Sequence, residues 1–448
     1  MDPLLTKLDR QLAAFERAHA PAGYLIAFSG GLDSTVLLAG CQRRANSPPL
    51  RAIHIDHGLH QDSAHWARDC RDMAAQFGVD YQSVRVDLAQ VGGQSLEAVA
   101  REARYRVFAE QLRPGEMLLT AHHEDDQLET VLLRLLRGTG VKGMRGIIAS
   151  SEFAAGYLGR PMLGVSRAEI AAAASRWGLR WLQDPSNADQ RFDRNYLRQV
   201  VLPALRVRWP AASRTVARAA RQMADAQELL EEIASMDAAG IADLGRVPLE
   251  ELLELTPARL RNLLRAVIEA CGLRLPTAKQ LDELTGALAV ARRDAQTRVR
   301  WPGAEARIYG DFVYFMTPLA DPSPPSTLGY LHPDRPWAGP EGRLELRAAD
   351  SADTRHRLAD AWVGPGLTVR FRCGGERLIP AGGTHHRPLK KLLQEIRVVP
   401  WMRSRIPLLY RDDQLAAVGD LWICDAARAQ AGEARSWQVY WDRHPALY

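Results

Sequence analysis

Residues 24–34 read Tyr24-Leu25-Ile26-Ala27-Phe28-Ser29-Gly30-Gly31-Leu32-Asp33-Ser34, and the fold can be argued outward from them. Tyr24 to Phe28 is an apolar run of the length of a buried strand. Two glycines end it, and TVLLAGCQRR after Ser34 reads as a helix. Glycines at such a junction let backbone approach a phosphate closely, and the first-turn N–H groups and the helix dipole favour its charge. Ser29 and Ser34 add hydroxyl donors. Asp33 has the wrong charge for a phosphate contact and the right one for a Mg²⁺ carried by a phosphate. No G-x-x-x-x-G-K-[ST] occurs, so this is not a Walker loop. Ser29, Gly30, Gly31, Leu32, Asp33 and Ser34 are therefore expected to hold the pyrophosphate end of ATP, with Asp33 as the metal ligand. The plain alternative is an ordinary turn.

The surrounding sequence repeats the alternation. Leu50 to Asp56 (LRAIHID) is a second strand, about 30 residues after the first, the length of a β-α-β unit. Asp80 to Val86 and Met117 to Ala121 read as third and fourth strands, and Ser95 to Leu112 as a helix. The pattern predicts an α/β fold with a parallel, doubly wound sheet, which binds ligands beyond the carboxyl ends of its strands.

The polar segments fall at those ends. The second strand ends in His54-Ile55-Asp56-His57-Gly58-Leu59, where His57 either borders the nucleotide, accepts a proton, or caps a loop. The fourth runs into Ala121-His122-His123-Glu124-Asp125-Asp126-Gln127-Leu128-Glu129-Thr130. Leu128, Val131, Leu132 and Leu135 fall at helical spacing as a buried stripe, and Asp126 and Glu129 are i, i+3 neighbours near the helix start. Carboxylates there are favoured by the dipole, so capping is the plain explanation. Four acids, two histidines and a glutamine exceed what a cap needs. Zinc is disfavoured, because the adjacent His122 and His123 diverge on one turn. GTGVKGMRG, with Lys142 and Arg145, is a second glycine-rich loop, and Asp184-Pro185-Ser186-Asn187 precedes Arg194-Asn195-Tyr196-Leu197-Arg198.

From Leu202 the pattern turns to long amphipathic helices, with possible strands near Thr297–Trp301 and Ala306–Phe315. A Pro/Ser/Gly-rich linker spans Pro318 to Gly329. Three domains are expected: residues 1–205 catalytic, 206–317 mainly helical, and 330–448 a basic α+β domain. Net charge is +5 and the pI about 9.0, but its distribution says more. Arg191 to Arg221 holds eight arginines against Asp193, and Gly366 to Arg411 ten Lys or Arg against Glu376 and Glu395. Two basic clusters beside a nucleotide site favour a nucleic-acid partner. The five cysteines are scattered without a C-x-x-C, which argues against disulfides and zinc ribbons. No apolar run approaches the ~20 residues of a membrane span, and the N-terminus lacks the signal-peptide pattern, so a cytoplasmic protein is expected.

SGGLDS, HIDHGL, AHHEDDQLET, RGTG, RP-x-L at Arg160 to Leu163, W-x-x-DPSN and RN-x-x-R occur in this order. Together they resemble the bacterial tRNA(Ile)-lysidine synthetases, of the PP-loop group of adenylating enzymes. VRFRCGGERLIPAGGTHHRPLKKLLQE resembles that family's terminal module. The resemblance implies a PP-loop nucleotide-hydrolase fold, with ATP and Mg²⁺ as cofactors and L-lysine and the CAU-anticodon isoleucine tRNA as substrates. It also implies adenylation of the C2 carbonyl of the wobble cytidine, followed by attack of lysine. In that setting Asp126 and Glu129 are the candidates for the lysine ammonium groups, and Arg194 for substrate phosphate or the carboxylates. His57, His122 and His123 stay open as the group that deprotonates the amine. The rivals are a PP-loop tRNA thiolase, which needs a catalytic cysteine or a C-x-x-C-held cluster, and a non-catalytic tRNA- or nucleotide-binding module.

Overall fold

The computed structural model describes residues 2–45, 47–58, 63–86, 96–182, 193–290, 297–322, 329–349, 354–445 and 447. They divide into two compact units, Met1–Met236 and Asp237–Tyr448. The DPSN turn (184–187) falls outside the described residues.

The first unit is built on a six-stranded sheet. Its strands are β1 (Gly23–Ala27), β2 (Leu50–Asp56), β3 (Asp80–Arg85), β4 (Glu116–Leu119), β5 (Ser150–Phe153) and β6 (Gly156–Gly159), in the order β3-β2-β1-β4-β6-β5. β1 pairs in parallel with both β2 and β4, β3 extends the parallel run beyond β2, and β6 extends it beyond β4. Only the terminal hairpin β5–β6 is antiparallel. Strand order reverses at β1, so the crevice between the carboxyl ends of β1 and β4 is the topological switch point where doubly wound sheets bind ligands.

Alternate residues of β1 serve two cores. Tyr24, Ile26 and Phe28 pack on one face against Leu4, Leu8, Leu12 and Phe15 of α1 (Pro3–His19), Val36 to Leu38 of α2 (Leu32–Gln42) and Ile170 of α7 (Arg167–Arg176). α3 (Ser63–Gln76) gives Cys70 to the same core. Leu25 joins Ile53, Leu118 and Leu158 on the other face, under Val107 and Phe108 of α4 (Leu96–Gln111). This two-sided burial explains why the strand reads as a continuous apolar run rather than an alternating one.

The remaining helices of the unit are α5 (Glu124–Leu136), α6 (Val141–Met144), α8 (Asp193–Tyr196), α9 (Leu202–Arg208) and α10 (Ala212–Asp237). A π-helical turn, Leu197–Val201, joins α8 to α9. The expected stripe on α5 is buried only in part: Leu128 and Val131 are covered, while Leu135 is 53% exposed, because the helix outruns the core that covers its first turns.

In the second unit, β7 (Arg246–Pro248), β8 (Thr297–Trp301), β9 (Ala304–Tyr309) and β10 (Phe312–Met316) form a sheet in the order β7-β10-β9-β8. It shares a core with α11 (Leu249–Leu253), α12 (Pro257–Ala270) and α13 (Ala278–Ala289). The run expected as one strand from Ala306 to Phe315 is a hairpin, turned at Gly310, which has φ +59. The strands between Gly329 and Asp442 form a five-stranded, a four-stranded and a two-stranded sheet around a core that includes Leu392, Leu393, Leu408 and Trp441. No helix among the described residues is long and apolar enough to cross a membrane.

Candidate active site

The loop after β1 is held by its own side chains. Ser34 Oγ donates to Gly31 O (3.1 Å) and accepts from Ser29 N (3.3 Å), the two serine hydroxyls lie 3.0 Å apart, and Thr35 Oγ1 donates to Gly30 O (3.2 Å). Gly30 has φ +76, and a Cβ there would lie 2.6 Å from Cys70 Sγ and 2.8 Å from Leu182 Cδ1. Only glycine fits this turn. Gly31 is the N-cap of α2 without a side-chain cap, which leaves the helix N-terminus turned to a ligand.

Asp33 stands in the first turn of α2. Its Oδ2 lies 3.7 Å from His123 Nε2, while Oδ1 is buried without a hydrogen-bond partner. An orphaned carboxylate oxygen beside a phosphate cradle fits a cation. Among the described residues no cluster of three or more metal-ligating side chains gathers. A cation here would thus take Asp33 together with phosphate and water oxygens, the usual habit of Mg²⁺.

Across the crevice, β4 delivers His123 to the N-cap of α5. His123 Nδ1 accepts from Asp125 N (3.2 Å), and Asp126 Oδ2 accepts from His123 N (3.0 Å), a reciprocal cap. The capping role is therefore real for Asp126, and it uses only one oxygen. Asp126 Oδ1 accepts from Arg194 Nη2 (2.9 Å) and Arg198 Nη2 (2.8 Å), while Glu129 Oε2 and Oε1 accept from Arg194 Nε (2.7 Å) and Arg198 Nε (2.5 Å). The Glu129 side chain is 1% exposed. The four residues form one closed network that joins α5 to α8 and the π turn.

Burial alone would raise the Asp126 pKa, but His123, His122, Arg194 and Arg198 outweigh it and hold the carboxyl below the ordinary range. Burial likewise opposes the Arg198 charge, and Glu129 and Asp126 more than restore it. The histidines divide. His122 is pushed down to about 3, by burial first and then by Arg160, Arg194 and Arg101 against the pull of Asp126. His57 is lowered by burial, Arg104 and His54. His123 is raised, because Asp33, Asp126 and Asp125 overcome its burial.

Residues 4–205 match the family model of the PP-loop domain, 248–314 that of the TilS substrate binding domain, and 367–441 that of the TilS substrate C-terminal domain. The tRNA(Ile)-lysidine synthase of Alkalilimnicola ehrlichii is 41% identical over 433 residues, covering 95% of this chain and 95% of that one. Those of Coxiella burnetii and Pseudomonas aeruginosa are 38% and 39% identical, covering 93% and 97% of this chain and the same shares of their own. The chain belongs to the tRNA(Ile)-lysidine synthase family. ATP binding follows from its PP-loop domain.

The crevice gathers Ser29, Gly30, Gly31, Asp33 and Ser34 on the β1 side and His123, Asp126 and Glu129 on the β4 side, with Arg194 on Asp126 and Glu129. Sequence reasoning missed Arg198, although the RN-x-x-R spacing puts it one helical turn from Arg194. It also missed a clamp on the same helix: Asp125 Oδ1 accepts from Ser213 Oγ (2.7 Å) and pairs with Arg206 Nη2 (2.6 Å), which ties α5 to α9 and α10. The glycine-rich loop after α5 is pinned from behind. Gln127 Oε1 accepts from Ile147 N (2.6 Å), and Arg134 Nη1 donates to Gly143 O (3.0 Å) and Gly146 O (2.7 Å).

The two cysteines of the first unit are not poised for sulfur chemistry. Cys41 and Cys70 are buried, and burial pushes both up to about 12, far from the thiolate a sulfur carrier needs. Cys373 is the exposed cysteine, in the basic C-terminal segment. Several arginines of that segment are occupied, Arg372 by Glu376 and Arg370 by Asp413. His385, His386, Lys390 and Lys391 are exposed.

Proposed function

We propose that this enzyme adenylates the C2 carbonyl oxygen of the wobble cytidine in a CAU-anticodon isoleucine tRNA and then attaches L-lysine at C2. Family membership supports the overall reaction. The observation that carries the assignment of lysine is the buried i, i+3 pair Asp126 and Glu129, across the crevice from the loop that ends in Asp33.

In the first step the C2 oxygen attacks the α-phosphorus of ATP and pyrophosphate leaves. The open N-terminus of α2, with Ser29 and Ser34, receives the pyrophosphate, so the developing charge meets donors already in position. Asp33 would hold Mg²⁺, which would supply positive charge to the phosphate oxygens. In the second step the lysine amine attacks C2, the C2–O bond breaks, AMP departs and the amine loses a proton. Asp126 and Glu129 orient the cationic amino acid, opposite charge in a dry cleft being strongly favoured. His122 and His57 are weakened as bases by their surroundings, and His123 is strengthened and faces both Asp33 and Asp126. We place the reaction in the cytoplasm, where ATP, tRNA and free lysine meet.

The test is incorporation of labelled lysine into unmodified CAU-anticodon isoleucine tRNA with ATP and Mg²⁺, comparing wild type with Asp33→Asn. Labelling that needs ATP and is lost in the variant is the expected result. Adenylated tRNA that never acquires lysine would overturn the lysine assignment while leaving the adenylation chemistry in place.

A further inference from the structure

The first turn of α5 does more than face the crevice. Asp126 and Glu129 meet Arg194 and Arg198, while Asp125 beside them meets a later stretch of the same chain. Asp125 Oδ1 pairs with Arg206 Nη2 at 2.6 Å and accepts from Ser213 Oγ at 2.7 Å. Asp125 is only 8% exposed. Arg206 lies in the last turn of α9, Ser213 in the first turn of α10, and Trp209-Pro210 stands between them. Trp209 leaves helical geometry with φ −128 and ψ 80, and Pro210 lacks the N–H that would carry α9 onward. One buried carboxylate thus grips the corner between two helices, meeting a guanidinium at the end of one and the positive end of the other.

The outside of that corner has the chemistry of an RNA contact. Trp209 is 60% exposed, and Arg208, Arg214, Arg218 and Arg221 are exposed with it. At about 100° per residue, Arg214, Arg218 and Arg221 fall within about 60° of one another on α10. Ala217 and Ala220 of the same helix are buried. A row of guanidiniums on one helix edge suits a phosphate backbone, and an exposed ring beside it offers a stacking surface.

We propose that Asp125 is a positioning residue for the RNA. Its side chain fixes the angle at which the α9–α10 corner presents the basic edge, and that edge holds the RNA backbone. Because the anchor stands on the helix turn that also carries Asp126, the RNA is registered against the reacting groups through one carboxylate. The proposal rests on the reading of tRNA as the substrate.

Filter binding of unmodified CAU-anticodon isoleucine tRNA to full-length Asp125→Asn tests it. Removing an acid beside a polyanion site would by itself tighten binding. A clamp that aims the basic edge predicts the opposite sign, a tRNA Kd higher by about fivefold or more. Tighter or unchanged binding overturns the proposal. The ATP Kd should stay as in wild type, and a matching loss of ATP affinity would mean that Asp125 holds the crevice rather than the corner. Ser213→Ala should lose less tRNA affinity than Asp125→Asn, and Ser213→Thr, which keeps the hydroxyl, should lose none. Arg206→Ala and Asp125→Asn should be no worse together than the more severe one alone, since both release one clamp, and losses that multiply overturn it. In lysine transfer at saturating tRNA, Asp125→Asn should lower kcat by about tenfold or more, a displacement of about 1 Å being enough to cost about a hundredfold. The lysine KM should hold, and a raised lysine KM at normal kcat would place Asp125 in the lysine site instead. If wild type transfers no lysine, the reading of the reaction falls, and the binding measurements still decide the clamp.

Discussion

At the scale of single residues, the crevice is a set of side chains each held in place by a neighbour distant in sequence. Glu129 meets Arg194 and Arg198 across 65 and 69 positions of chain, and both guanidiniums keep some contact with solvent. Glu129→Gln removes the charge and leaves the forks facing a neutral amide. It should lower stability by about 2–3 kcal/mol, read from the denaturant midpoint, the solvent contact placing it at the low end of broken buried pairs. It should also raise the KM for lysine more than that for ATP. Gly30→Ala probes the opposite wall. Its left-handed φ and the nearby Cys70 Sγ leave no room for a methyl group, so the loop must shift. The ATP Kd should rise by at least about tenfold, the equivalent of ~1.4 kcal/mol of lost binding, as titration calorimetry would show.

At the scale of elements, the strands are stitched at the end remote from the chemistry. Arg51 on β2 reaches across β1 to Glu116 at the start of β4, with Nε to Oε1 at 3.0 Å and Nη2 to Oε2 at 2.6 Å, and Arg113 N adds a third donor. Burial would raise the Glu116 pKa, but these donors win and lower it. A lowered folded-state value means the pair stabilises the fold above the unfolded carboxylate pKa of about 4.3 and loses that effect as pH falls through the lowered value. Thermal melts of wild type and Glu116→Gln should therefore differ most near neutral pH and converge in acid. The elements themselves were largely legible. β2 and β8 have the expected bounds and β1 is displaced by one residue; β1 shows itself because burial on both faces writes itself into local composition, β8 by alternation of Arg298 and Arg300 with buried Val299 and Trp301. The β5–β6 hairpin was not foreseen, its four-residue strands being rich in serine and glycine and without a β-branched residue. The Asp126 and Glu129 pair was visible from i, i+3 spacing. Arg194 was expected on substrate phosphate or the carboxylates, and it meets both acids; Arg198 and the Ser213–Asp125 bond were not foreseen, since contacts over 69 to 88 positions leave no periodic trace.

At the scale of the whole molecule, charge is partly committed to folding and partly left for a partner. Lys390 and Lys391 are exposed at the start of a short helix and follow His385 and His386, which are exposed as well. Replacing both lysines with alanine should weaken tRNA binding and reduce the slope of log K against log salt by about 2, one for each lost phosphate contact, with ATP affinity unchanged. Filter binding across a salt series would show it. The thiols are distributed differently. Cys41, Cys70 and Cys424 are buried with their pKa values pushed up to about 12, and Cys271 is half-buried and raised. Brief maleimide treatment at neutral pH should label Cys373 first, in about one equivalent, and lysidine formation should survive it. Cys373 is thus a ready-made attachment point for a fluorophore. A dye placed there, within the basic stretch between Gly366 and Arg411, would report the arrival of RNA by its change in brightness, with every residue of the chain left as it is.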